Sequence, residues 1–156
     1  MARTVLASKI VKSRGFPCYT VAMDTVSTTL QYQNYIKPDW APPAYLFGVA
    51  WSFLYIVIVI SFTFVFYKWW TKKISNAIAL PFIINLVSNL LYNPIQFGLQ
   101  NNVLACIDIV IVLASLVWFM VAIWKKYKWV AIVNIPYLLW VSFATVLQLT
   151  ITYLNW

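Results

Sequence analysis

Four long apolar runs, joined by short polar links, constrain this chain more than any other feature. They cover residues 44–67, 77–97, 103–124 and 129–154. A hydrocarbon core about 30 Å thick is crossed by about 20 residues of helix, and a helix satisfies its own backbone hydrogen bonds where water cannot. Each run reaches that length. The links read KWWTKKISN, GLQNN and KKYK. Links this short make consecutive helices antiparallel neighbours, so the fold class is an all-α, polytopic, up-and-down membrane bundle. Composition agrees: 63% of residues are hydrophobic and 9% charged, against roughly a quarter charged in ordinary globular domains. At 156 residues the chain is expected to be one domain.

The net charge is +8, which raises nucleic acid as a partner. The distribution argues for a lipid bilayer instead. Lys68, Lys72 and Lys73 form one cluster, Lys125, Lys126 and Lys128 another, and Arg3, Lys9, Lys12 and Arg14 a third. Bases beside spans anchor helices at the phosphate level and set orientation. The two lysine-rich links therefore share the cytoplasmic side, and the uncharged GLQNN, the loop KPDWAPP and Trp156 share the other. A cytoplasmic N-terminus then requires one further crossing, over about 15–36. The segment GFPCYTVAMDTVSTTLQYQNYI is a weak span, since it carries Pro17, Asp24, Gln31, Gln33 and Asn34. A central Asp costs about 3 kcal/mol on insertion scales. Charge favours insertion as a fifth, sheltered helix; hydropathy favours a surface segment. Residues 1–30 are thus an atypical N-terminal segment, with the basic, acid-free look of a mitochondrial targeting sequence. The bundle proper is 31–156.

There is no His and no Glu, and the acids are Asp24, Asp39 and Asp108. Ser-His-Asp and Cys-His catalysis, His-ligated metals and two-Glu acid–base work are excluded, and no cofactor or metal is expected. Cys18 and Cys106 imply no structural disulfide.

The second run contains FIINLVSNLLYNPIQF. Asn85, Asn89, Tyr92 and Gln96 fall on one helical face. Facing lipid, such a stripe costs several kcal/mol, because amides find no partner in hydrocarbon. It must face other helices or a cavity. Interhelical bonds, at about 0.6 kcal/mol each, and a ligand-lined cavity both fit. A companion stripe of Phe47, Trp51, Tyr55 and Phe62 marks the first run, and Tyr137, Trp140, Ala144 and Gln148 share a face of the last. Ala144 is small where its neighbours are large, which leaves room.

Trp69, Trp70, Trp124, Trp129 and Trp156 belong to the interfacial belts. Trp51 and Trp140 lie deep in their runs, and their indole N–H groups are expected to bond the Asn and Gln oxygens of the polar stripe. Asp108 is an intramembrane acid, suited to proton chemistry or to a structural hydrogen bond. Pro94 and Pro136 each remove a helix hydrogen bond. The resulting kinks are expected to widen the bundle near KPDWAPP, which would cap the opening as a lid.

With these residues in view, the chain resembles the TspO/translocator protein family over residues 32–155. YQNYIKPDWAPP is similar to the family's first loop, FGVAWSFLY to its second helix, NLVSNLLYNPIQF to its third and NIPYLLWVSFATVLQ to its fifth. Asp108 matches an acid in its fourth helix. The resemblance implies five transmembrane helices, usually in a homodimer, with a pocket under the first loop. It implies binding of porphyrins, and in some members of sterols and benzodiazepine-type ligands. The pocket positions carried over are Tyr32, Trp40, Trp51, Tyr55, Asn89, Trp140 and Ala144. Tyr92 stands where the family often has Trp, Asn85 where it has Gln and Gln148 where it has Asn. The expected function is porphyrin or tetrapyrrole binding for transport or sensing. A light- and oxygen-dependent porphyrin-degrading enzyme is the alternative, and a structural partner without a small ligand is a third reading. The expected location is a bacterial cell membrane, or the mitochondrial outer membrane in a eukaryote.

Overall fold

Residues 32–156 are described by the structure, a computed structural model. The proposed crossing over 15–36 falls outside them except for its last residues, of which Tyr32, Gln33 and Asn34 are helical. Pro43, in extended conformation, caps helix α1, Ala44–Trp70. Helix α2, Asn76–Asn93, continues into a wider π-helical turn, Pro94–Gly98. Helix α3 is Asn102–Trp124, and the side chain of Asn101 caps it by accepting from the Leu104 N–H. A short helix α4, Lys128–Val133, precedes α5, Ile135–Leu154. The four long segments, of 27, 23, 23 and 20 residues, are long and apolar enough to cross a membrane. Among the described residues there is no strand. Apolar side chains such as Val49, Ile56, Val121 and Leu139 stand exposed around the outside, as suits helices solvated by acyl chains rather than water.

Both ends of the bundle are tied. Lys126 Nζ donates to the Lys73 carbonyl at 3.0 Å, so the two lysine-rich links meet at one end. There the Lys68 ammonium lies over the rings of Phe64, Tyr67 and Tyr127. At the other end the Ile36 N–H donates to Asn155 Oδ1 at 3.0 Å, and Asn155 Nδ2 donates to the Ile36 carbonyl at 2.9 Å. Thr152 Oγ1 donates to the Asn102 carbonyl nearby. The first loop, the link between α2 and α3 and the C-terminus therefore share one end, as the charge pattern requires.

The packed core lies towards the lysine end. Phe82 of α2 and Phe119 of α3 pack in a tilted pair with centroids 4.5 Å apart, and Val65, Ile74, Ile123 and Val130 close around them.

Two expectations about the prolines need correction in part. The last apolar run is not one helix: it breaks at Asn134, and Pro136 occupies the first turn of α5. A helix's first turn has no use for that N–H, so Pro136 starts a helix instead of kinking one. The break also lies at the lysine end and opens nothing near KPDWAPP. Asn134 Nδ2 bridges it by donating to the Val130 carbonyl and to Ser61 Oγ of α1, each at 2.8 Å. Pro94 does lie at the loop end. Its missing N–H begins the π-helical turn, in which the Leu99 N–H reaches back five residues to the Pro94 carbonyl. That turn carries Gln96 inward to a buried position.

Candidate functional site

At the loop end α1 stands away from α2 and α5, and a cavity of about 1010 Å³ fills the gap. The sequence explains the gap. Gly48 and Ser52 are small and one turn apart on α1, and the missing Cβ of Gly48 would meet nothing within 4 Å. Ala144 of α5 removes bulk from the opposite wall. Trp51 and Tyr55 form one side, with ring centroids 5.5 Å apart. Asn89, Tyr92 and Gln96 form the α2 side, Gln148 belongs to α5, and Ile109 and Val112 of α3 contribute apolar surface.

The loop reaches over this space. Tyr32 and Tyr35 join the wall, and Tyr32 packs edge-on against Phe47 at 5.2 Å. The Tyr32 hydroxyl donates to the Pro42 carbonyl at 3.1 Å, and the Lys37 ammonium sits 4.7 Å from the Tyr32 ring centroid. With the Asn155 clamp on Ile36, these contacts hold 32–43 across the end of the bundle.

The polar stripe of α2 is turned inward, away from lipid: Asn85, Asn89 and Gln96 are all buried. Two hydrogen-bond chains use it. In the deeper one, Asn85 Nδ2 donates to the Val112 carbonyl at 2.8 Å and to Ser115 Oγ at 3.3 Å. The Tyr137 hydroxyl donates to Asn85 Oδ1 at 3.2 Å, and Asn89 Nδ2 donates to the Tyr137 oxygen at 2.9 Å. Nearer the loop, the Tyr92 hydroxyl donates to Gln148 Oε1 at 2.8 Å. Gln148 Nε2 donates to Gln96 Oε1 at 3.0 Å and to Thr152 Oγ1 at 3.3 Å. Gln96 Nε2 donates to Asn102 Oδ1 at 3.0 Å. The stripe therefore does both jobs that the sequence leaves open: it bonds helix to helix, and it supplies polar atoms to a cavity wall.

Six of the ten positions singled out in the sequence line the cavity: Tyr32, Trp51, Tyr55, Asn89, Tyr92 and Ala144. Four stand outside it. Asn85 lies one turn deeper, with its amide spent on α3 and Tyr137. Trp140 lies behind the wall against Phe47, with centroids 5.8 Å apart. Trp40 is half exposed and packs on Phe143 at 6.0 Å, on the far side of Trp140. Asp108 is buried in α3 beside Ser88, and its Oδ2 has no partner among the described residues.

The expected bonds from the indoles to the amide stripe do not form among the described residues. The amides pair with tyrosines, with each other and with backbone carbonyls, which sit at their own depth. Trp140 Nε1 is left buried without an acceptor. Sequence reasoning also passed over Tyr35, Tyr45, Asn134 and Asn155. For Tyr45 a signal exists: Tyr45, Gly48, Ser52 and Tyr55 share a helical face on which two small residues announce space. Asn134 has one too, as an amide directly before the proline-containing start of a helix.

A bundle of membrane-length helices, hollow at one end with its amides turned inward, defines a multi-pass integral membrane protein with an internal cavity. The sequence profile of the TspO/MBR family matches residues 13–154, and the chain belongs to that family. The match begins ahead of the described residues and takes in the weak segment before Ile36. Among its relatives, the tryptophan-rich protein TspO of Chlorobaculum tepidum is 35% identical over 124 residues, covering 80% of this chain and 78% of the relative. The tryptophan-rich sensory protein of Cereibacter sphaeroides is 29% identical over 126 residues, 80% of this chain and 77% of its own. A translocator protein homolog of Schizosaccharomyces pombe is 31% identical over 131 residues, again 80% and 77%.

Proposed function

We propose that the cavity binds a flat apolar ligand of the tetrapyrrole class, and that the protein acts in transport or sensing of that ligand. The observation that carries this reading is the cavity itself. At about 1010 Å³ it stands at the upper end of small-molecule sites, and its walls are aromatic and aliphatic with a few fixed polar groups. Trp51, Tyr55, Tyr32 and Tyr92 offer ring faces to a flat molecule, and Asn89 and Gln148 offer polar atoms to orient it. Among the described residues the wall carries no charge. Carboxylates on a porphyrin edge would be met at the loop by Lys37, beside Tyr32. The two roles are suggested by the names of the sensory and translocator relatives.

Titration of the purified protein with protoporphyrin is expected to quench tryptophan fluorescence, and Trp51→Phe to weaken binding. Unchanged affinity in Trp51→Phe and in a cavity-filling Gly48→Phe variant would place the ligand elsewhere. The second reading is light-dependent breakdown, favoured by the position of Trp51 in the wall, where an excited porphyrin and oxygen would meet an oxidisable indole. Illumination in air is expected to give only the products of free porphyrin; a protein-dependent product would support the enzyme.

A further inference from the structure

We infer that the cavity selects ligands presenting a hydrogen-bond donor, an N–H or O–H, because Asn89 is held with its oxygen as the unfilled group. The inference rests on the cavity being a ligand site, and adds which polarity that ligand must carry.

The donor sense of the chain is fixed from α3 inward. The Val112 carbonyl can only accept, so the Asn85 amide must turn its nitrogen towards it. Asn85 Oδ1 then faces Tyr137, and the phenol spends its one proton there. The Tyr137 oxygen keeps only lone pairs, so Asn89 must offer its nitrogen. Reversing either amide would set oxygen against oxygen. Asn89 Oδ1 is what remains. It is buried, has no partner among the described residues, and belongs to a cavity-lining residue that is 6% exposed. A ligand engages it only as the Asn89 side chain turns towards the cavity.

The second chain has the same sense. Thr152 donates to the Asn102 carbonyl and accepts from Gln148, whose Oε1 takes the Tyr92 proton. The Tyr92 phenol, also in the wall, is thus left with lone pairs. Two backbone carbonyls on α3, those of Val112 and Asn102, decide the polarity of the site.

An acceptor of this kind rewards an N–H and penalises an oxygen in the same place, since an unmatched buried acceptor is worth about a factor of ten in binding. Within the tetrapyrrole class it favours open-chain forms, which can turn a pyrrole N–H outward. Macrocycles with all four nitrogens on a metal have none to give.

Three tricyclic probes of one shape isolate this effect: carbazole carries an N–H, dibenzofuran an oxygen and fluorene a methylene at the same position. Equilibrium dialysis of the full chain in detergent micelles, against empty micelles, measures each. Carbazole is expected to bind about five- to tenfold more tightly than the other two. Asn89→Leu should remove the preference, bringing carbazole down to the affinity of the other two probes. Tyr137→Phe frees the Asn89 amide to rotate, and should bring carbazole and dibenzofuran level or reverse their order; a merely structural role for Tyr137 would weaken all three alike. Equal binding of the three probes to the wild type, or a preference that survives in both variants, overturns the inference while leaving the cavity intact. No binding of any probe or of protoporphyrin above empty micelles removes the ligand-site reading, and this inference with it.

Discussion

Helix α1 is two different helices in packing terms. In its second part it buries Leu54, Val57, Ile58, Ser61 and Val65, the spacing of a face pressed on its neighbours; over residues 44–53 it buries nothing. Both parts are apolar, residues 54–65 more so than 44–53, but apolarity alone does not decide burial. In a membrane it should not, because lipid tails solvate a side chain about as well as a protein core does. The difference lies in what stands opposite. Towards the lysine end, Phe62, Phe82 and Phe119 interlock, the first pair stacked and the second tilted, with centroids 5.3 and 4.5 Å apart. Towards the loop, α1 presents Gly48 and Ser52, and α5 presents Ala144. One half of the bundle is filled by large rings; the other has its space kept open by small residues and its amides fixed in networks.

That contrast can be broken most directly by truncation. Phe119→Ala is expected to cost about 3–5 kcal/mol, as for a fully buried ring, read as a lower melting temperature in detergent. Phe47→Ala at the hollow end should cost a small fraction of that; equal losses would mean that both halves are packed alike. Filling comes next. Ala144→Phe is expected to weaken protoporphyrin binding by roughly tenfold or more, about 1.4 kcal/mol, with melting little changed, and fluorescence titration of the two proteins decides it. At the boundary between the halves, Asn85→Ala removes bonds to Val112, Ser115 and Tyr137. At about 0.6 kcal/mol for each interhelical bond, a loss of about 1–2 kcal/mol is expected in thermal unfolding. The smallest effect belongs to the loop. Asn155→Ala releases two exposed bonds to Ile36, worth about 1 kcal/mol together. Stopped-flow measurement should show bound porphyrin leaving a few-fold faster, with stability nearly unchanged; an unaltered rate would show that the loop does not gate the hollow end.

Much of the site's membership was legible along the chain. Asn85, Asn89 and Gln96 read as inward-facing because a helix repeats its face and lipid offers amides nothing. Trp51, Tyr55 and Ala144 read as wall residues from the same periodicity and from the resemblance to a known family. Depth was harder. Trp140 shares a helical face with Ala144 in sequence, yet Phe47 of α1 stands between it and the cavity. Pro136 looked like a kink and proved to be a helix start, because Asn134 bridges the break with one hydrogen bond to Val130 and one across the bundle to Ser61, which sequence spacing does not bring near.

The amino-acid sequence alone determined how many long apolar helices lie in 32–156, which links share a side and which face of α2 avoids lipid. Those follow from chain length, charge and helical period, properties of one segment at a time. Only the tertiary structure decided how far α1 stands from α2 and α5 at the loop end, and that Asn89 keeps an oxygen without a partner among the described residues. Both depend on the distance between helices, and on a carbonyl of α3 that orients an amide on α2 through a tyrosine on α5.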